Sequence, residues 1–220
     1  MACGVAHRFV ASIDFTRMLD HVFTDAISAL RDAFESAFLE RQPFEEHFQS
    51  DVLSGDLTWE TSYGLPGEGE PPRIVAHITF VWPAWSQAAY RRWYVEDELE
   101  RQPAIEIEVV LRMQQLSNAV LPERVHAVLP AHSGSIGNDR LERSALTSEI
   151  AHPDPDDPLD LIAEHAIEVG YEGLYELAVE TVADGRSTLL DDHFGALGGW
   201  IAASLVQLGD LGLAFLPHDD

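Results

Sequence analysis

The sequence contains no lysine. All 13 of its basic residues are arginine, set against 38 aspartates and glutamates, and the formal net charge is -25 over 220 residues. A chain so poor in positive charge repels phosphate backbones and anionic headgroups. That excludes nucleic-acid or acidic-membrane binding through basic contacts. Cysteine is nearly absent too: Cys3 alone can close no disulfide within the chain, so nothing calls for an oxidising compartment. Long apolar runs are also missing. The longest uncharged apolar stretch, Phe194 to Gly209, contains four glycines and falls short of the ~20 residues a spanning helix needs. With no apolar leader in the first dozen residues, a cytoplasmic protein is expected.

What is present is ordinary globular composition, 46% hydrophobic and 23% charged. From Asp14 to Phe38, apolar residues including Phe15, Leu19, Val22, Ile27, Leu30 and Phe34 recur at three- and four-residue steps. They predict an amphipathic helix of about seven turns. Pro43 with Glu45 and Glu46 reads as the start of a second helical piece. Leu57, Trp59, Thr61 and Tyr63 then alternate with polar residues, as in a strand, and Arg73–Trp82 is a second strand. Residues 85–101 read as a helix, 104–113 as a half-exposed antiparallel strand and 124–131 as a further strand. Asp139-x-x-Glu142 has the form of a capping box for a short helix.

The run Ala151-His-Pro-Asp-Pro-Asp-Asp-Pro158 breaks regular structure, and the chain beyond it reads as helical. The expected architecture is α+β: a long N-terminal amphipathic helix, an antiparallel sheet of about four strands and a C-terminal helical hairpin. The expected division is a body over 1–150, a linker over 151–158 and an acidic hairpin over 159–220. One exact pentapeptide repeat, Leu39–Pro43 and Leu99–Pro103, has flanks that do not align.

The charge is uneven. Residues 145–220 hold 16 acids and a single arginine, Arg186. Within them Asp160, Glu164, Glu168, Glu172, Glu176, Glu180 and Asp184 form a ladder at four-residue spacing. On one helix such neighbours repel by about 0.2–0.5 kcal/mol per pair. The ladder reads as a solvated face, as adaptation to high salt, or as an acidic docking surface for a basic protein.

A second candidate surface is aromatic. Trp82, Trp85, Tyr90, Trp93 and Tyr94 fall within thirteen residues, with the adjacent pair Arg91 and Arg92 among them. These residue types dominate binding hot spots, although a helix packing its aromatic side on a sheet is the simpler account of them.

Signals for catalysis fail. Ser133-Gly-Ser-Ile-Gly137 has serine where a nucleophile elbow begins with glycine, and it lacks the lysine of a phosphate loop. The ten histidines are scattered, and Asp191-Asp192-His193 is explained as capping of a helix start. No catalytic residue, metal ligand or cofactor is assigned. Gly195, Gly199 and Ala203 lie at four-residue spacing and would let a helix pack closely on the N-terminal helix or on a second subunit.

The function expected is therefore a non-enzymatic acidic protein-binding module: an adaptor, inhibitor or immunity-type protein. It would use Glu164, Glu168, Glu172, Glu176 and Glu180, or the aromatic cluster, and could act by nucleic-acid mimicry. The alternative is a metal- or His/carboxylate-dependent hydrolase or small-ligand enzyme with a cleft between sheet and helices.

Overall fold

The computed structural model describes residues 15–38, 43–67, 71–152, 163–183 and 188–217, with side chains from His21 onward except at Ala145. The elements in chain order are α1 (Phe15–Ala37), β1 (Glu45–Ser50), β2 (Leu57–Gly64), β3 (Ile74–Trp82), α2 (Ala84–Glu96), β4 (Ala104–Leu116), α3 (Pro122–Val128), β5 (Glu142–Ala151), β6 (Glu164–Glu176), α4 (Val179–Val182) and α5 (Leu189–Gly209). The strands form one sheet in the order β1-β2-β3-β4-β6-β5, with every pair antiparallel.

Strand alternation sorts the side chains into two faces. One face carries Trp59, Tyr63, Ile78, Phe80, Trp82, Ile107, Val109, Leu111, Val169, Tyr171 and Tyr175, all buried. The helices α1 and α5 pack together over it. Ring contacts fix their seating: Phe34 stacks on Tyr63 at 3.9 Å, Phe23 meets Trp82 at 5.9 Å, and Phe194 meets Phe80 edge-on at 5.3 Å. The other face has no helix over it among the described residues.

Two polar nodes, one buried and one at the surface, tie these layers. Ser86 Oγ accepts hydrogen bonds from Trp82 Nε1 (3.0 Å) and the Ala104 amide (2.8 Å), and donates to the Ala104 carbonyl. It joins the end of β3, the start of α2 and the start of β4. Glu46 on β1 accepts from Trp59 Nε1 (2.8 Å) and from Arg31 of α1 (2.9 Å), while the guanidinium lies 5.7 Å above the Trp59 ring.

Tyr63 is different: its hydroxyl is buried with no hydrogen-bond partner among the described residues. Burial pushes its pKa up to about 12. Tyr63→Phe keeps the ring stacked on Phe34 and removes an unsatisfied group. It should raise unfolding stability at pH 7 by about 1 kcal/mol. Because the folded pKa lies above the ordinary 10, the phenol's linkage favours the fold fully below pH 10 and is lost as pH rises toward 12. The variant should therefore lose less stability over that window. Urea titrations of both proteins at pH 7 and pH 11 test this.

Several sequence expectations are corrected. The sheet has six strands among the described residues rather than about four. Glu45 and Glu46 open a strand instead of a helix, because β1 completes the hairpin with β2. Residues 122–128 are a short helix with proline in its first turn, where a strand was expected. Glu142 starts β5, and Asp139 belongs to a tight turn rather than a capping box.

The largest correction concerns the C-terminal third. The expected helical hairpin is a strand, β6, inserted between β4 and β5, followed by the four-residue α4 and one long helix, α5. The proline- and aspartate-rich residues 153–158 lie outside the described residues, as do 39–42 of the first pentapeptide repeat. No helix among the described residues is long and apolar enough to cross a membrane.

Candidate functional site: the uncovered face of the sheet

On the uncovered face, strand pairing lines up one row across all six strands: His47, Glu60, Thr79, Glu108, Glu172 and Glu142. Three glutamates from β4, β6 and β5 thus stand directly opposite one another. Strand spacing sets them about 5 Å apart at Cα. Like charges so placed destabilise a sheet by about 0.2–1 kcal/mol per pair. None of Glu60, Glu108, Glu142 and Glu172 takes part in an ion pair among the described residues.

The next row toward one end of the sheet is Gln49, Thr58, Val81, Glu106 and Leu174. Between these two rows lies a hollow of about 380 Å³, floored by Thr79, Val81 and Leu174 and rimmed by Glu106, Glu108 and Glu172. Leu174 is 48% exposed in it. At the same end, the β1–β2 turn carries Val52 and Leu53, both almost fully exposed. The Asp51 carboxylate accepts the amides of Ser54 and Leu53, which holds its pKa below the ordinary value and fixes the turn.

Toward the other end of the sheet the charge is neutralised. Arg112 is the only arginine that the described strands place on this face, and it pairs with Glu168 and with Glu149 (3.1 Å). Burial opposes its charge, but the two carboxylates outweigh that and hold its pKa above the ordinary value. His77 lies between, its Nδ1 2.7 Å from Ser62 Oγ. Burial, helped by the Arg112 charge, lowers its pKa.

The acidic ladder expected on a helix therefore divides. Glu164, Glu168, Glu172 and Glu176 share one face of β6, because a step of four is also an even number. Their roles differ. Glu164 accepts the amide of Gln115, which has φ 58° at a bulge in β4. Glu168 is consumed by Arg112. Glu172 stands open in the row, and Glu176 sits at the end of the strand. Glu180 lies apart, in α4. Asp160 and Asp184 lie outside the described residues.

The aromatic cluster also divides. Trp82 and Tyr90 are core residues and Trp93 packs against them. Trp85 stays near the surface beneath Arg101, whose guanidinium is 3.4 Å above the ring. Arg92 is held by Glu100, Arg91 is exposed, and Tyr94 is 37% exposed. The structure does not bring the seven residues together as one patch.

In the serine loop, Ser133 Oγ donates to the Gly134 carbonyl and accepts the Leu141 amide. The glycines of α5 divide in the same way. Gly195 and Gly199 face open space, and Gly198 is the residue against which α1 packs. Among the described residues no group of three or more His, Cys, Asp or Glu is placed to hold a metal ion.

Sequence reasoning missed Glu106, Glu108 and Glu142, which alternate with apolar residues in strands far apart in the chain. It also missed a contact between Tyr175 and His193, since only the fold brings β6 against the start of α5. No family model matches this chain, and neither a curated protein nor a solved structure does.

Proposed function

We propose that the uncovered sheet face docks a basic surface of another protein, making this chain an acidic, non-enzymatic binding module of the adaptor or inhibitor kind. The observation that carries the reading is the unbalanced row Glu108, Glu172 and Glu142 beside an apolar hollow. The row costs stability and no described element covers it, and its charge would be neutralised by arginine or lysine side chains whose stems lie on Val81 and Leu174. The cytoplasmic setting expected from the sequence belongs to the same proposal. Mimicry of a nucleic acid is one form of it, in which duplex DNA competes for the partner.

The test separates binding from folding. Glu172→Arg turns two like-charge pairs into opposite-charge pairs, so it should stabilise the isolated protein by about 0.5–1 kcal/mol. The same change should slow association with a basic partner about tenfold, and salt should weaken wild-type binding. Affinity capture from the native cell at low and high salt supplies the partner, and surface-plasmon kinetics of the purified pair measure the effect. Association that is indifferent to both the substitution and salt would overturn the reading.

A further inference from the structure

Val52 and Leu53, in the β1–β2 turn, are 96% and 99% exposed, the highest values among the described large hydrophobic residues. Side chains so exposed pack on nothing, so the core does not account for them.

Local structure does not account for them either. The Asp51 carboxylate accepts the amides of Leu53 (2.7 Å) and Ser54 (2.8 Å). The Gly55 amide closes on the Asp51 carbonyl at 2.9 Å, and Gly55 itself has φ +79°. Asp51 and Gly55 therefore specify the turn. The residues between them have ordinary negative φ, which serine, asparagine or aspartate would adopt while suiting water better.

The base of the turn is bolted to α2. Asp56 Oδ1 accepts the Ala84 amide at 2.7 Å, and Gln87 Nε2 donates to the Gly55 carbonyl (3.0 Å) and the Trp82 carbonyl (2.9 Å). A tip held in this way has little freedom left to lose when a partner buries it.

Its position relates it to the acidic row. Glu60 belongs to that row and Leu57 begins β2 after the turn, about 10 Å away at 3.3 Å per residue. Between β2 and β6 lie β3 and β4, which is about 15 Å at the ordinary strand spacing. The turn thus lies about 20 Å from Glu172, inside the roughly 30 Å span of an interface burying about 800 Å² per partner. An anionic bilayer, another setting for an exposed apolar tip, is repelled by a chain of formal net charge -25.

We infer that Val52 and Leu53 are the apolar anchor for the protein that docks on the acidic row, and that this partner carries an apolar socket about 20 Å from its line of arginine or lysine side chains. The inference rests on the docking reading above and adds a second point of contact to it. The carboxylates attract the partner at a distance, and the tip holds it once it has arrived.

A photoreactive benzophenone side chain is installed in place of Leu53, of Leu174 in the hollow beside the row, or of Leu121 as a control. Leu121 is 66% exposed at the start of α3, which packs on α5. Each protein is irradiated in its native cell. Positions 53 and 174 should cross-link to one and the same basic protein, and position 121 should not. With that protein purified, Leu53→Ser should raise its dissociation rate about tenfold and leave association unchanged, whereas Glu172→Arg acts on association. Thermal unfolding of Leu53→Ser should match the wild type. An adduct at 174 without one at 53 overturns the inference and leaves the docking face standing. An adduct at 53 alone, or at neither position, overturns both. The inference also falls if position 121 takes the same adduct, if the shared partner has no basic surface, or if Leu53→Ser releases it as slowly as the wild type does.

Discussion

Ser86→Ala should destabilise the protein by about 2–5 kcal/mol, because it leaves two buried donors and one acceptor without their partner. The Trp82 indole N–H and the Ala104 amide both donate to this hydroxyl, and the Ala104 carbonyl accepts its proton. Ser86 is fully buried, so water cannot replace it without opening the junction of β3, α2 and β4. The loss of one small hydroxyl is thus magnified by the groups that depend on it. Urea unfolding followed by tryptophan fluorescence measures the effect, since Trp82 reports on the same junction. A loss below about 0.5 kcal/mol would show that the node is dispensable.

Gly198→Leu is the other large effect, and it comes with an internal control on the same helix. A Cβ at this position would meet Ala33 Cβ at 2.7 Å and the Leu30 carbonyl at 3.1 Å, so the backbone of α1 itself stands in the way. A leucine must push α1 and α5 apart, and the expected loss is about 3 kcal/mol or more. Gly199→Ala, one residue on, meets nothing within 4 Å and should stabilise α5 by about 0.5–1 kcal/mol through helix propensity alone. Thermal unfolding of the two variants should move in opposite directions. If the chain self-associates through Gly195, Gly199 and Ala203, Gly199→Ala would instead destabilise it in a concentration-dependent way.

The legible parts of the fold were those whose period admits one interpretation. Leu57, Trp59, Thr61 and Tyr63 alternate strictly and fall on β2, and Ile105, Ile107 and Val109 fall on β4. The apolar run after Thr188 contains small residues at helical spacing and falls on α5. The misread segment carried an ambiguous signal. Acids four apart occupy neighbouring turns of a helix, but they also occupy one face of a strand, so the spacing alone does not choose between the two. The disambiguating residues lay between them: Ile167, Val169, Tyr171 and Tyr175 alternate at a period of two and are β-branched or aromatic. Two glycines and the repulsion of stacked carboxylates also weighed against a helix.

The candidate site was less legible for a different reason. Its row of glutamates is assembled from segments tens of residues apart. Strand order, which no local pattern encodes, decides that β4, β6 and β5 are neighbours. Within the ladder, only register tells Glu172, which faces open solvent, from Glu168, which is spent on Arg112.

The insertion of β6 between β4 and β5 has a consequence for how the protein is made. At a synthesis rate of about 5–20 residues per second, β5 is complete for on the order of a second before β6, its partner among the described strands, is translated. The apolar stripe of α1 waits longer, on the order of ten seconds or more, for the α5 surface that covers it. Until then the nascent chain exposes an unpaired strand edge and a greasy helix together. The ribosome-bound intermediate, more than the finished molecule, is the species at risk of misassembly, and it is there that a folding helper would act.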